Sequence, residues 1–304
     1  MGKIAVVGSA NVDLVFYVDR LPLPGETRYG QAAIQCVGGK GANQAVAAAR
    51  FGVPVDFFGK VGSDQYGDFI LQNLQENRVN INTVFKVKEC PSGMASVWVD
   101  QNGNNCIIYI PGANKYVDTD YAKQIMPFLT KADILLLQLE IPKETIEYIL
   151  DNLPKHSPLV ILDPAPAQDL VSLPVERIDI LTPNLIEMQL LTGEKAIEKM
   201  GKELLNLGIK TIVCKAGENG AFLISKQVFR HFPAFPVTAI DTTGAGDAFN
   251  GVLAGALAEG RSLEEALYWA NAAGALSCTR RGAQPSFPMR KELEFFLKKY
   301  PYNA

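Results

Sequence analysis

Histidine is nearly absent from this chain: only His156 and His231 occur in 304 residues. His156 sits in a polar Lys-His-Ser-Pro loop and His231 is expected just after a short strand, among Phe and Pro, so both read as surface or edge positions. A reaction that needs a proton acceptor must then take it from a carboxylate. The five cysteines (Cys36, Cys90, Cys106, Cys214, Cys278) are odd in number and scattered, with no CxxC pair. That pattern leaves no visible disulfide framework or thiolate zinc site, and the thiols are expected to be reduced and structural. Charge of one sign is also lacking: 29 Lys and Arg stand against 32 Asp and Glu, a formal net charge of −3. Basic residues gather only as the pairs Arg280-Arg281 and Lys298-Lys299, which argues against a nucleic-acid partner. No apolar run approaches the ~20 residues of a membrane span. Met1 to Val7 runs straight into a strand-like segment, without the charged start and cleavage site of a signal peptide. The expected setting is cytoplasmic, away from membranes.

What is present is an ordinary globular balance, 48% hydrophobic and 20% charged, at a length that suits one α/β domain with an elaboration. Beyond residue 130, apolar runs of strand length alternate with helical stretches: Ile134 to Leu137, an amphipathic segment near 142–153, then Leu159 to Leu162, Ile178 to Leu181 and Thr211 to Cys214. Continuous apolar runs suit strands buried on both faces of a parallel sheet, and intervening helices imply right-handed βαβ units. Ile4 to Val7 and Val53 to Val61 join the same sheet, with an Ala-rich helix over 41–51 between them. Two stretches break the rhythm. Residues 12–36 alternate apolar and polar groups around Leu-Pro-Leu-Pro-Gly, and 92–110 predict a hairpin, Met94 to Val99 and Cys106 to Ile110, across an Asn-Gly-Asn turn. The expectation is a single α/β domain over 1–304, with a mostly parallel central sheet, helices on both faces, and a small antiparallel lid from about 12–36 and 92–110. Helices are expected over about 245–259, 262–279 and 289–300.

The most specific local signal is Asp241-Thr-Thr-Gly-Ala-Gly-Asp-Ala-Phe-Asn250. A strand expected over Pro236 to Ile240 runs into a turn with Gly244 and Gly246, then into an apolar helix. Glycines let the backbone approach a ligand closely, and the free N–H groups of a helix start form an anion site. Asp247 falls in that first helical turn. The helix dipole alone would favour an acid there, so an isolated GAGD carries little weight. An acid beside a phosphate cradle can do more, drawing the proton from an attacking hydroxyl while the amides hold the transferring charge. A second signal, Gly38-Gly-Lys-Gly-Ala-Asn43, opens the 41–51 helix. It lacks the P-loop spacing, and the turn after the first strand, Gly8-Ser-Ala-Asn11, is no dinucleotide fingerprint. A tight turn before a helix would use the same glycines, but Lys40 and Asn43 also place donors where a small polar ligand can lie. Polar residues then fall at strand ends, where open α/β sheets bind ligands: Asn11 and Asp13, Glu140, Asn184, and Lys215-Ala-Gly-Glu-Asn-Gly220. Each alone is unremarkable. Together with two glycine-rich helix starts they converge on one crevice, which capping and turn chemistry explain poorly.

In this order and spacing, Asn11-Val-Asp13, Gly38 to Asn43, Gln138-Leu-Glu140, Thr182-Pro-Asn184 and the Asp241 to Asn250 string resemble the ribokinase family, within the phosphofructokinase-B type sugar and nucleoside kinases. The resemblance covers nearly the whole chain, through Thr279-Arg-Arg-Gly-Ala-Gln-Pro-Ser286. It implies that Asn11, Val12, Asp13, Gly39, Lys40, Gly41, Ala42, Asn43 and Glu140 bind a sugar. It implies that Asn184 and the turn Lys215, Ala216, Gly217, Glu218, Asn219, Gly220 face ATP, with Asn271 near the adenine. Gly244, Ala245 and Gly246 would form the anion hole and Asp247 would be the base, both next to the nucleotide's phosphates. Mg²⁺ would arrive with ATP. A monovalent cation, K⁺, is expected from Asp241, Thr243, Ser277, Arg280, Gly282 and Ser286. The lid would also build a homodimer contact. The reaction so implied is ATP-dependent phosphorylation of D-ribose at the 5-hydroxyl, and phosphoryl transfer suits a chain poor in His and Cys but rich in glycine turns and carboxylates. Competing expectations are a kinase for another small sugar or a nucleoside, a non-catalytic sugar-binding regulator, and a nicotinamide-dependent oxidoreductase, the last disfavoured by the missing fingerprint.

Overall fold

The computed structural model describes residues 2–101 and 105–302. In chain order it runs β1 (Ile4–Val7), β2 (Asn11–Tyr17), β3 (Ala32–Gly38), α1 (Lys40–Phe51), β4 (Val55–Phe58), β5 (Lys60–Gly62), α2 (Gln65–Glu76), β6 (Phe85–Val87), β7 (Gly93–Val99) and β8 (Asn105–Ile110). It continues through α3 (Thr119–Leu129), β9 (Ile134–Gln138), α4 (Lys143–Asn152), β10 (Leu159–Asp163), β11 (Ile180–Leu181), α5 (Leu185–Thr192), α6 (Ile197–Asn206) and β12 (Thr211–Lys215). The chain then forms β13 (Ala221–Ser225), β14 (Phe229–Phe232), α7 (Ala245–Ala258), α8 (Leu263–Ser277) and α9 (Arg290–Leu297). No helix among the described residues is long and apolar enough to cross a membrane.

The main sheet has eight strands in the order β14-β13-β12-β11-β10-β9-β1-β4. Its strands run parallel from β4 to β12, and β13 and β14 add an antiparallel edge. Side chains alternate between the two faces of each strand. Val6 and Leu136 therefore pack with α1, α7 and α8, while Val7, Leu135 and Leu137 pack with α3, α4 and α6. Both layers are closed, so the continuous apolar runs of β1, β9 and β10 have no wet face. Helix α7 is pressed especially close to α1. A Cβ on Gly251 would stand 2.5 Å from the Ala47 Cβ, and one on Gly255 2.6 Å from the Phe51 ring. That contact brings the first turns of the two helices, with their polar side chains, into one place.

The second sheet, ordered β3-β2-β7-β8, is built from the two stretches expected to form the lid, about 12–36 and 92–110. Its outer pairs, β2–β3 and β7–β8, are antiparallel, and its two halves join through a parallel pair, β2–β7, in which Asn11 sits opposite Gly93. Antiparallel pairing throughout is thus replaced by a mixed sheet, because β2 and β7 both leave the core at the same corner. The Asn-Gly-Asn turn expected at 102–104 lies outside the described residues.

Three strand expectations are corrected. Pro236 to Ile240 forms no strand; prolines at 233 and 236 lack the amide a ladder needs, and the Ile240 and Asp241 amides instead donate to the Cys278 carbonyl at the end of α8. Val53 to Val61 divides at Gly59: β4 stays in the main sheet and β5 turns away to pair with β6. Ile178 to Leu181 shortens to β11, since Ile178 closes a 3₁₀ turn over Val175–Arg177. His231 lies within β14 rather than after it. Its ring stacks on Phe222 with centroids 4.5 Å apart, and its Nε2 lies 2.6 Å from the Asn219 carbonyl oxygen, an edge contact that secures the turn after β12.

Candidate active site

From β1 the chain first crosses to β4 on one side, and then to β9 and its neighbours on the other. Ligands of such sheets bind beyond the carboxyl ends of the strands at this reversal. The residues found there are Ser9 to Asp13 after β1, Glu140 after β9, Asp163 ending β10, Asn184 after β11 and Lys215 ending β12. The starts of α1 and α7 face the same place.

Asp247, in the first turn of α7, is the centre of the arrangement and is only 6% exposed. Asn43 donates to its Oδ2 at 2.9 Å and Gln44 to its Oδ1 at 3.1 Å. Burial pushes its pKa up to about 6; Lys40 opposes the rise, and the Asp163 carboxylate adds to it. The same Gln44 amide nitrogen donates at 2.9 Å to Asp163, whose other oxygen takes the Lys215 ammonium at 2.9 Å. Gln138 donates to the Gln44 oxygen and Gln284 to the Asn43 oxygen, so both amides are held in one orientation. Beside Asp247 the turn before α7 has Gly244 in the left-handed region at φ 75°, and no side chain caps the helix. Among the described residues the Gly246 and Asp247 amides have no backbone acceptor, while that of Ala245 bonds Thr242. A Cβ on Gly246 would stand 3.5 Å from the Lys215 ammonium, so an anion received by these amides meets a cation as well.

Opposite lies a rim of polar groups. Glu140 accepts from the Ser9 hydroxyl and, at 3.0 Å, from the Lys40 amide. The Asp13 carboxyl rests against Gly38, where any Cβ would come within 2.1 Å of its Oδ2, and its Oδ1 is buried without a partner. Burial, then the Glu140 and Asp247 carboxylates, push the Asp13 pKa up to about 7. Burial would lower the pKa of Lys40, but Asp247, Asp163 and Glu140 outweigh it and the net shift is upward. Gly39 and Gly41 seat this segment on the turn after β1. A Cβ on Gly39 would lie 2.9 Å from the Asn11 amide nitrogen, and one on Gly41 2.7 Å from the Gly8 backbone. Val12 is fully buried beneath the rim and Ala42 donates its amide to Ser9.

The structure thus brings together Asn11, Asp13, Gly39 to Asn43, Glu140, Lys215 and Gly244 to Asp247. Farther along the crevice, Asn184 forms a capping box at the start of α5, exchanging hydrogen bonds with Glu187, and pairs through an isolated bridge with Lys215. Residues Gly217–Asn219 make a 3₁₀ turn ended by Gly220, and Asn271 on α8 donates to the Pro233 carbonyl at 2.7 Å. Asp241 collects the Thr243 amide on Oδ1 and the Gly282 amide on Oδ2, at 2.9 and 2.8 Å. Burial raises its pKa, and these hydrogen bonds lower it by more. Ser277 and Ser286 donate their hydroxyls to nearby carbonyls, and the Arg280 side chain turns away to Glu292. Sequence reasoning missed Gln44, Asp163 and Asn114, and gave no role to Gln138 and Gln284 within the motifs it singled out. For Asp163 there was a signal: it ends the run Leu159–Asp163 as Gln138 ends β9.

The sequence profile of the pfkB family carbohydrate kinases matches residues 1–290. The ribokinase of Bacillus subtilis (strain 168) is 41% identical over 299 residues, covering 98% of this chain and 100% of that protein. The deoxyribokinase of Salmonella typhi is 36% identical over 300 residues, with 97% and 98% covered. The ribokinase of Arabidopsis thaliana, solved in complex with ribose and ATP, is similar at a TM-score of 0.91 and 35% identity, with 98% and 99% covered. With the family profile matched over almost its whole length and relatives aligned end to end, the chain belongs to the pfkB family of carbohydrate kinases.

Proposed function

We propose that the protein transfers the γ-phosphoryl group of ATP to the 5-hydroxyl of D-ribose, giving D-ribose 5-phosphate and ADP. The observation that carries this is the place of Asp247, a buried carboxylate between a polyol-sized rim of polar groups and the open amides of a helix start. Asn11, Asp13, Lys40, Asn43 and Glu140 hold the sugar hydroxyls, with the backbone of Val12, Gly39, Gly41 and Ala42 shaping the rim. Asp247 takes the hydroxyl proton as the sugar oxygen bonds to the γ-phosphorus and the bond to the β–γ bridging oxygen breaks. The Gly246 and Asp247 amides, presented by the turn Gly244, Ala245 and Gly246, hold the charge of the transferring group, and Lys215 adds a cation. Asn184, the Lys215 to Gly220 turn and Asn271 line the nucleotide side. Mg²⁺ comes with ATP and neutralises its phosphates. Closure of the lid excludes water. Phe16, Ile34, Ile107, Ile108 and Ile110 leave the lid with exposed apolar surface, which supports a homodimer through it. A cytoplasmic setting suits this chemistry.

Sugar identity is the first test. A site built to pair a hydroxyl leaves its own buried groups unsatisfied when that hydroxyl is missing, at about 1–3 kcal/mol, roughly ten- to a hundredfold. Ribose should exceed 2-deoxyribose in kcat/KM by at least tenfold, measured by coupled ADP release. A wild-type preference for 2-deoxyribose would select the deoxyribokinase alternative.

K⁺ is the second. Asp241 with the Ser277 and Ser286 hydroxyl oxygens and the carbonyls of Thr243, Arg280 and Gly282 offers a hard oxygen set with one negative charge, which fits a monovalent cation. Asp241 already ties the Thr243 amide of the turn before α7 to the Gly282 amide of the segment after α8, so a cation there would stiffen the anion hole rather than touch substrate. KCl should activate above a control of equal ionic strength made with a bulky cation; equal rates in the two series would remove K⁺ from the scheme.

A further inference from the structure

We propose that Asn114, a residue under the lid that contacts no reacting atom, determines sugar specificity by fixing which end of the Asn11 amide faces the substrate. The inference rests on the sugar-kinase reading and deepens it. Asn114 is fully buried in the 3₁₀ turn Gly112–Tyr116. Its two amide ends are assigned by backbone groups that allow no ambiguity. The Ala10 N–H can only donate, and it donates to Asn114 Oδ1 at 3.0 Å. The Ala10 carbonyl can only accept, and it lies 3.4 Å from Asn114 Nδ2. The same Nδ2 donates to Asn11 Oδ1 at 2.7 Å. Asn11 therefore has its oxygen committed to Asn114, and its Nδ2, which also reaches toward the Tyr109 hydroxyl, is the end presented to a ligand. The Tyr109 hydroxyl, from lid strand β8, lies 3.3 Å from Asn114 Nδ2 and closes the third side.

Gly93 shows how tightly this pair is held. It faces Asn11 across the β2–β7 register, and a Cβ there would come within 2.2 Å of both Asn11 Oδ1 and Asn114 Nδ2. Asp13 follows Asn11 by two residues on the same strand and so shares its face. A hydroxyl between them is matched on both sides: its oxygen accepts from Asn11 and its hydrogen goes to the Asp13 carboxylate. A C–H at that position leaves an N–H donor buried and unanswered. An Asn11 amide free to turn could relax part of that mismatch, and the role of Asn114 is to prevent it.

The test compares ribose and 2-deoxyribose at pH 8, where Asp13 is ionised, in wild type, Asn114→Leu and Asn114→Ser. Leucine removes the hydrogen bonds to Ala10, Asn11 and Tyr109, while serine keeps a small polar group too short to reach Asn11. The ribose to 2-deoxyribose ratio of kcat/KM should fall at least fivefold in each variant, carried mainly by a rise in the KM for ribose. Asn11→Leu should lower the ratio by as much, and the double variant with Asn114→Leu should lower it no further. A purely structural role would lower both sugars alike and leave the ratio at its wild-type value, which would overturn the inference; circular dichroism identifies any variant that does not fold, and the other then decides. The wild-type ratio judges the ribose reading separately, because the inference is scored only on the change of that ratio.

Discussion

Asp247→Asn is expected to turn over about 10²–10⁴ times more slowly than wild type while still binding the sugar, which is the usual loss when a general base is removed. The substitution keeps the shape and one acceptor, although its NH2 now faces one of the Asn43 and Gln44 donors; the rim that holds the sugar is untouched, so the loss falls mainly in kcat. Turnover within threefold of wild type would take Asp247 out of the mechanism. The wild-type pH profile follows from the same group. Its pKa is raised to about 6 by burial and that of Asp13 to about 7, so both are ionised at pH 8. The sugar kcat/KM should then hold a plateau above about pH 8 and fall as pH drops through 7 to 6. The limb belongs to Asp13 and Asp247 together rather than to one residue, since the charge of each bears on the other. A pKa raised in the folded state means that the native protein binds protons more readily than the unfolded chain. Ionisation of Asp247 therefore costs stability as pH rises from its ordinary range through about 6. Asp247→Asn removes that cost but sets its NH2 against one fixed donor, so the two effects offset and its melting temperature at pH 8 should stay close to wild type, which separates lost chemistry from lost fold.

Lys215→Met is expected to lose both stability and phosphoryl transfer. Asp163 is 2% exposed, and its charge is balanced by Lys215, itself 12% exposed, and by one amide of Gln44. Removing one partner of a buried pair leaves an uncompensated charge and typically costs about 3–5 kcal/mol. The double variant Asp163→Asn/Lys215→Met leaves no such charge and should recover much of that loss, as read from chemical denaturation midpoints. Recovery of fold should not bring recovery of rate, because the ammonium beside Gly246 is still missing; ATP turnover should stay at least tenfold down. A single Lys215→Met variant as stable as wild type would show that Asp163 does not depend on its lysine.

The parallel core was legible because burial on both faces writes itself into β1, β9 and β10 as unbroken apolar runs, and local composition is enough to see them. The glycine turns were legible for a similar reason: close backbone approach at Gly39, Gly41 and Gly244 admits nothing larger. Pro236 to Ile240 misled because an apolar segment before a glycine turn looks like a strand, and only the position of α8 showed that its amides are satisfied elsewhere.

The sequence by itself determined the layer architecture, the two glycine-rich helix starts and the carboxylates Asp13, Glu140 and Asp247, since each is marked by residues within a turn or two of it. The tertiary structure alone decided how those groups act. Gln138 reaches Gln44 across 94 positions, Asn114 reaches Asn11 across 103, and Gln284 reaches Asn43 across 241. An amide side chain has no directional preference until a partner arrives, so its donor and acceptor ends carry no trace in local sequence. The raised pKa of Asp247 has the same origin, because desolvation is a property of everything packed around a carboxylate and not of its neighbours in the chain.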